Sequence, residues 1–208
     1  MPEPTEVPRT SADSEPLSEA ALAQLFSNAR TFTHFLPRPV PADLLGRLYT
    51  LLEWGPTSSN ALPGRFVFIT SAAAKERLRP VLAAGNVDKT MAAPVTVIVA
   101  FDLRFYEFLE RTSPRSKSRP TLEAKPALAR EIAFRNGSLQ GAYLILAARA
   151  LGLDCGPMSG FDNARLDAEF FADGRWCSNF LVNLGYGDRS RLHQRSPRLT
   201  FEEACRVL

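Results

Sequence analysis

Val95-Thr96-Val97-Ile98-Val99-Ala100-Phe101 is a continuous run dominated by β-branched residues. Such side chains favour extended backbone. A strand that lacks polar alternation is usually covered on both of its faces. The run therefore predicts a central strand in a sheet that has helices on both sides.

Helical and strand patterns flank this run along the chain. After Pro41, five leucines at helical spacing mark a core helix, and Pro is well suited to a first helical turn. We predict further helices over Ser18–Ala29, Ala72–Leu82 (a surface helix stopped by Gly85-Asn86), Pro126–Leu151 and Asn163–Phe171. Strands are predicted over Arg65–Thr70 and Asn179–Tyr186, and Leu153–Gly160 is predicted to pass through a short strand into a polar loop. A last helix begins with a capping box of Thr200 and Glu203.

Two glycines, Gly137 and Gly141, interrupt the long helix at positions i and i+4. Each costs about 1 kcal/mol relative to alanine in a helix interior. That cost is tolerable where another element approaches closely. We expect a partner subunit or a core helix against this face, and ordinary helix packing within one chain is the alternative.

The composition fits one folded domain in a reducing compartment. The chain has 208 residues, 45% of them hydrophobic, and a formal net charge of +3, so nothing requires a nucleic-acid partner. Two histidines and three cysteines are too scattered for a metal site or a thiol redox motif, which favours a cytoplasmic location. Residues 1–16 predict a disordered lead-in to a domain over 17–208, and no apolar run is long enough to span a membrane.

Two polar loops stand out as candidate halves of a cofactor site. Trp54-Gly55-Pro56-Thr57-Ser58-Ser59-Asn60 places three hydroxyls and an amide directly after a rigid Gly-Pro. Gly156-Pro157-Met158-Ser159-Gly160 has a similar character about a hundred residues later. Alone, the first loop could be a helix-to-strand connection whose side chains satisfy its own backbone.

Two further segments carry basic residues. Arg30-Thr31-Phe32-Thr33 could grip a phosphate, or it could be a solvated helix end. The segment 111–120 has no apolar residue and carries Arg111, Arg115, Lys117 and Arg119. It is either a mobile exposed loop or a basic lid over a site that receives anionic ligands.

Several familiar catalytic motifs are missing. The serine of the 156–160 loop is one position late for G-x-S-x-G, and neither G-x-x-x-x-G-K-[ST] nor G-x-G-x-x-G is present. Loops rich in small polar residues and arginine, without an acid–base pair, suit a protein whose bound cofactor performs the chemistry.

The loops together resemble those of the nitroreductase family of FMN enzymes. The resemblance rests on Arg30-Thr31-x-Thr33, the 54–60 loop followed by Arg65-Phe66-Val67, the stretch from Gly152 to Asp162, Leu184-Gly185-Tyr186-Gly187 and Pro197-Arg198. It covers about Leu17 to Leu208. More narrowly, the chain is similar to the malonic semialdehyde reductase branch of bacterial pyrimidine degradation, with Gly85-Asn86 and 133–136 among its branch-specific segments.

This resemblance implies an α+β fold, a three-layer sandwich whose mostly antiparallel sheet is flanked by helices, and an intertwined homodimer with FMN at the interface. It also implies ping-pong transfer of hydride from NADPH or NADH through flavin N5, without a catalytic side chain or a metal. Small aldehydes are the implied substrates, malonic semialdehyde foremost. A nitroaromatic or quinone reductase, or a flavin-binding protein without turnover, remains an alternative.

The resemblance also assigns residues by position. Arg30, Thr31 and Arg198 would hold the FMN phosphate and ribityl tail, and the Ser159 and Gly160 amides would face the N5–O4 edge. The full implied cofactor set is Arg30, Thr31, Thr33, Pro56, Thr57, Ser58, Asn60, Pro157, Met158, Ser159, Gly160, Arg195 and Arg198, in which Thr57, Ser58 and Asn60 come from the other subunit. Arg115 and Arg119 are candidates for an anionic substrate.

The chain departs from the family pattern at two positions. Many members have a basic residue where Thr33 stands and another where Ser196 stands. Neutralisation of the phosphate is therefore expected to depend on Arg30, Arg195 and Arg198.

Overall fold

The β-branched run 95–101 lies in β2, Val95–Asp102, a central strand of a four-stranded sheet in the computed structural model. The strand order is β1 (Gly64–Ile69), β2, β4 (Trp176–Gly185) and β3 (Asp154–Met158), and every neighbouring pair is antiparallel. All eight residues of β2 are buried, which confirms a strand covered on both faces.

The structure describes residues 15–208, so nearly all of the predicted lead-in over 1–16 lies outside the described residues. The helices are α1 Glu19–Leu22, continued by a π-helical turn Ala23–Ser27, α2 Ala42–Leu52, α3 Ala72–Leu78, α4 Ala84–Ala92, α5 Leu109–Thr112, α6 Arg119–Ala124, α7 Pro126–Ala150, α8 Asn163–Phe170 and α9 Phe201–Ala204. Ser18 caps α1 and the Thr200–Glu203 capping box begins α9, both as predicted.

Helices cover both faces of the sheet. One core cluster packs Leu48 of α2 and Leu144 of α7 against Val97. A second cluster packs Leu78 of α3 against Ile98, the neighbouring residue of β2. Because successive strand residues point to opposite faces, these clusters form two separate layers on the sheet. The predicted three-layer α+β sandwich is confirmed.

The two glycines of α7 pack against the chain's own sheet. A Cβ at Gly137 would lie 3.1 Å from the Phe101 Cβ, and one at Gly141 would lie 2.5 Å from the Phe180 Cζ. The expectation of a partner subunit or a helix at this face was wrong, because strands β2 and β4 occupy it. A close approach was correctly predicted, but not the element that makes it.

The predicted surface helix Ala72–Leu82 is also corrected. The α-helix ends at Leu78 and a 3-10 turn, Arg79–Val81, follows. Pro80 lacks the N–H that a longer α-helix would need. Gly85-Asn86 does not stop a helix but lies in the first turn of α4. The face of α3 toward α4 is buried and includes the side chain of Lys75.

The segment 111–120 is less irregular than its composition indicates. Thr112 still belongs to α5, and Arg119 begins α6. An ion pair of 2.7 Å between Arg119 and Glu110 joins the two ends. Only residues 113–118 connect the two helices.

Candidate functional site

A cavity of about 490 Å³ on the β3 side of the molecule contains most of the predicted phosphate-binding residues. We call it the arginine pocket. It is lined by Phe26, Ala29, Arg30, Thr31, Arg149, His193, Gln194, Arg195, Ser196 and Arg198. The chain segment after α1 and the segment before α9 meet here, although they are more than 160 positions apart in sequence.

Main-chain carbonyls orient the predicted arginines. Arg30 donates to the carbonyl of His193 (2.5 Å), and Arg195 donates to the carbonyls of Ser27 (2.8 Å) and Ala29 (3.0 Å). Each bond uses only part of a guanidinium, which has five N–H donors. Within residues 15–208, no arginine of the pocket has a carboxylate partner. The pocket therefore carries an excess of positive charge.

Arg149, in the last turn of α7, is a member of this pocket that the sequence did not indicate. Its guanidinium donates to the carbonyl of Leu25 (2.9 Å), while its Nε is buried without a hydrogen-bond partner in the described chain. A buried donor without a partner is costly. The guanidinium nevertheless adds to the positive charge of the pocket, and this charge suits a phosphate.

The two threonines of the basic segment have different positions. Thr31 lines the pocket and forms a parallel bridge with Cys155 of β3. Thr33 does not line it, and its hydroxyl lies 3.1 Å from Nδ1 of His34. Burial raises the pKa of the Cys155 thiol to about 12, so this thiol is neutral near pH 7 and is not a nucleophile.

Most of the second predicted loop, residues 156–160, belongs to a β-strand. Gly156, Pro157 and Met158 belong to β3, where a proline is tolerated because β3 is at the sheet edge. Only Ser159 and Gly160 lie beyond it. The Gly160 carbonyl accepts hydrogen bonds from the Ala83 N–H (3.0 Å) and the Asn86 amide (2.7 Å).

The N–H groups of Ser159 and Gly160 are available to a ligand. Neither donates a hydrogen bond within residues 15–208. Ser159 is exposed, and Gly160 is half-buried. Two neighbouring backbone donors on a fixed strand end are suited to hold an acceptor edge of a planar ring.

The first predicted loop is a strained turn directly before β1. Ser59, Asn60 and Leu62 have φ values of 53°, 48° and 44°, a region that side chains of L-residues rarely adopt. The Thr57 hydroxyl accepts from the Leu62 N–H (3.1 Å), and the Asn60 amide donates to the Thr112 carbonyl (2.7 Å). The Asn60 Oδ1 stays free in the described chain. Such strain concentrates at functional sites.

One chain does not bring the two halves together. The strained turn precedes β1 and the free amides follow β3, and these are the two outer strands of the sheet. Three strand spacings separate them, roughly 14 Å. A ligand held by both Asn60 and Gly160 of one chain would have to reach around the sheet.

A second cavity, of about 610 Å³, lies along the open edge of β1 beside the turn. It is lined by Leu45, Gly46, Tyr49, Ala61, Leu62, Gly64, Arg65, Phe66, Phe68, Phe108, Arg111, Thr112 and Trp176. Neither Arg115 nor Arg119 lines it, and Arg119 is paired with Glu110. Arg65 and Arg111 do line it, and Arg65 is paired with Asp102 (2.7 Å). The sequence indicated Arg111 only as part of the basic segment and did not indicate Arg65 as a site residue.

Comparison with known proteins identifies the family. The nitroreductase family model matches residues 12–186, most of the chain. The chain belongs to the nitroreductase family. A relative from Rhodopseudomonas palustris (strain TIE-1), provisionally named NADH dehydrogenase/NAD(P)H nitroreductase, is 57% identical over 195 residues, which are 94% of this chain and 100% of the relative.

Solved structures of nitroreductases share the fold. A crystal structure of the Bacillus subtilis protein ydfN, provisionally a nitroreductase, superposes with a TM-score of 0.80 at 20% identity, covering 91% of this chain and 99% of that one. A second, from Exiguobacterium sibiricum and in complex with FMN, gives a TM-score of 0.79 at 17% identity over 90% and 97% of the two chains.

The described part of this nitroreductase has neither a metal-binding cluster nor a membrane-spanning helix. From residue 15 onward, no group of three or more His, Cys, Asp or Glu side chains could hold a metal ion. Over the same residues, no helix combines the length and the apolar character needed to cross a bilayer.

Proposed function

We propose that this protein is an FMN-dependent NAD(P)H oxidoreductase that acts as a homodimer on a small aldehyde. Malonic semialdehyde, reduced to 3-hydroxypropanoate, is the leading substrate. The observation that carries the proposal is the arginine pocket, where four guanidiniums meet without a carboxylate partner in the described chain. Three free cysteines fit a reducing compartment, so we expect the protein in the cytoplasm.

The residues present fit FMN. The pocket can take the phosphate, and the free N–H groups of Ser159 and Gly160 can take the N5–O4 edge of the ring. The FMN-bound nitroreductase from Exiguobacterium sibiricum, which has the same fold, adds support. Bound FMN would supply the hydride chemistry, which the described side chains do not provide. The protein contributes binding, orientation and a positive electrostatic environment.

A homodimer would complete the site. Because the strained turn and the arginine pocket lie at opposite sheet edges, the turn of one subunit would serve the flavin held by its partner. Large apolar side chains are exposed on α2 and the turn after it, on α7 and on the C-terminal segment; they include Tyr49, Leu51, Trp54, Phe134, Leu139, Phe201 and Val207. A second copy would cover such a surface.

The substrate assignment rests on the resemblance and on charge. Malonic semialdehyde carries a carboxylate, and the cavity beside the turn is lined by Arg111, which has no carboxylate partner in the described chain. Arg115 and Arg119 remain weaker candidates, farther along the same segment. Reduction adds a hydride to the aldehyde carbon and a proton to its oxygen, while NAD(P)H is oxidised to NAD(P)⁺.

A nitroaromatic or quinone reductase is the second candidate. It is favoured by the provisional nitroreductase name of the Rhodopseudomonas relative at 57% identity. A flavin-binding protein without turnover is a third possibility, which a simple reduction experiment distinguishes.

Single-turnover kinetics test these alternatives. Purified protein loaded with FMN is reduced anaerobically with NADH or NADPH and mixed with malonic semialdehyde, a nitroaromatic or a quinone. The proposal expects bleaching by the nicotinamide and fastest reoxidation by the aldehyde. Reoxidation by nitro compounds alone would select the second candidate, and absence of bleaching the third. Parallel steady-state lines are expected for ping-pong transfer, and intersecting lines would contradict it.

Flavin retention tests the pocket. Replacing Arg198 by alanine removes one of the pocket's cations and should weaken FMN binding at least tenfold. Arg77→Ala is the matched control, because Arg77 is paired with Glu169 on the surface outside the pocket. Equal FMN affinity of the two variants would argue against the phosphate role of Arg198.

A further inference from the structure

Two buried carboxamides of α7 accept hydrogen bonds from the two ends of the strained turn. Asn136 and Gln140 are four residues apart, so they share one face of the helix. The Asn136 Oδ1 accepts a hydrogen bond from the Ser58 N–H (2.8 Å), and the Gln140 Oε1 accepts from the Gly64 N–H (2.7 Å). Their exposed fractions are only 3% and 4%.

The two bonds bracket the whole strained stretch. The three non-glycine residues with positive φ in the described chain, Ser59, Asn60 and Leu62, lie between the Ser58 and Gly64 anchors. Such backbone persists only where its surroundings over-determine it. Two other long-range bonds reach the turn, from the Asn60 amide to the Thr112 carbonyl (2.7 Å) and from the Asp102 N–H to the Pro63 carbonyl (2.9 Å), but neither holds a backbone N–H of the turn. The other bonds are local, such as that from the Ala61 N–H to the Ser58 carbonyl (3.1 Å).

Small residues make this contact possible. Gly137 and Gly141, each next to a carboxamide, let α7 lie close to the sheet. Gly64, which donates the bond to Gln140, must also be small, because a Cβ there would lie 2.7 Å from the Gln140 Oε1. The glycines and the carboxamides of this helix therefore serve one arrangement, in which a rigid element reaches the turn at two points.

We infer that Asn136 and Gln140 are positioning residues that hold the 58–64 turn in the conformation that contacts the cofactor. The inference rests on the proposed function, because it takes FMN as the ligand of Asn60. If the turn were free to leave this conformation, only a fraction of the molecules would be able to bind FMN. The apparent FMN dissociation constant would then be the intrinsic one divided by that fraction. Neither carboxamide needs to touch the flavin.

The test removes an acceptor while keeping side-chain volume. Gln140→Met and Asn136→Leu lose the acceptor, and Gln140→Glu keeps it. Asn179→Leu is the matched control, since the Asn179 amide also bonds to α7, through the Ser138 hydroxyl (2.8 Å), but does not reach the turn. Two quantities are measured: FMN dissociation constants, and hydrogen exchange of the apo-protein at the Asn60 and Ala61 amides.

These two amides are informative because both donate within the turn, to the Thr57 carbonyl (3.0 Å) and the Ser58 carbonyl, and not to α7. In Gln140→Met and Asn136→Leu, we expect the Asn60 and Ala61 amide hydrogens to exchange at least tenfold faster than in the wild type. We also expect both variants to bind FMN at least tenfold more weakly. Gln140→Glu and Asn179→Leu should stay within threefold of the wild type.

Unchanged exchange and unchanged FMN affinity in Gln140→Met would overturn the inference. Faster exchange with unchanged affinity would also overturn it, because the turn would then be held without serving the cofactor. If Asn136→Leu does not fold, the Gln140→Met and Gln140→Glu pair decides alone. A wild type that binds no FMN would instead refute the proposed function, and the exchange rates would still report on the anchoring of the turn.

Discussion

Lys75 gives the sharpest quantitative prediction, because a lone cation is buried there. Its Nζ donates to the carbonyls of Thr90 (2.6 Å) and Ala93 (3.0 Å) and to the Thr96 hydroxyl (2.6 Å). The residue is 4% exposed, and no carboxylate of the described chain pairs with it. Burial lowers the pKa of Lys75 from its ordinary value of 10.5 to about 8.

The direction of the pH dependence follows from this pKa. Because Lys75 binds its proton less tightly in the folded chain, the unfolded chain holds more protons between pH 8 and 10.5, and stability rises with pH there. The full difference in pKa corresponds to roughly 3 kcal/mol. About 2 kcal/mol of this gain falls between about pH 7.5 and 9.5.

Lys75→Met isolates the effect, because methionine keeps much of the apolar stem and does not titrate. Urea unfolding of the apo-proteins at one protein concentration gives the free energy of unfolding at pH 7.5 and 9.5. The wild type should gain about 2 kcal/mol relative to Lys75→Met over this interval. The exposed Lys125→Met serves as control and should track the wild type. A difference between wild type and Lys75→Met that stays constant within about 0.5 kcal/mol would refute the reasoning.

Three further substitutions test other features. Arg149→Leu should raise the FMN dissociation constant at least tenfold by fluorescence titration, and an unchanged value would remove Arg149 from the pocket. Asp102→Asn, at a carboxylate 1% exposed between two guanidiniums, should cost about 3 to 5 kcal/mol in urea unfolding. A loss below about 1 kcal/mol would show that the pairs contribute little. Gly141→Ala places a Cβ 2.5 Å from Phe180, so overpacking of about 1 to 3 kcal/mol should outweigh the helix gain of about 1 kcal/mol. A melting temperature above that of the wild type would contradict this.

Features with a local chemical signature could be predicted from the sequence. The run at 95–101 indicated a buried central strand because both of its faces are apolar in the sequence itself. The capping box at Thr200 is equally local, since a side chain and a backbone three residues apart define it. The residue types of the basic segment at Arg30 are those that bind anions, and Arg30 and Thr31 line the arginine pocket, while a bound phosphate there stays a prediction.

Features made by distant contacts could not be predicted. Lys75 lies in a helix that reads as a surface helix, and its burial depends on the carbonyls at the end of α4. Arg149 in a last helical turn is an ordinary sequence feature, so nothing local marks it as part of a pocket. Gly137 and Gly141 indicated a close approach, but the approaching element is set by the sheet order, which no short stretch encodes.

The separation of the turn and the arginine pocket to opposite sheet edges has a genetic consequence. In the proposed dimer, a chain with Asn60→Ala and a chain with Arg198→Ala each form defective homodimers, yet their hybrid joins an intact pocket to an intact turn at one of its two sites. Random pairing of equal amounts would restore about one quarter of all sites. Two alleles that are each inactive alone could thus complement one another inside a single cell.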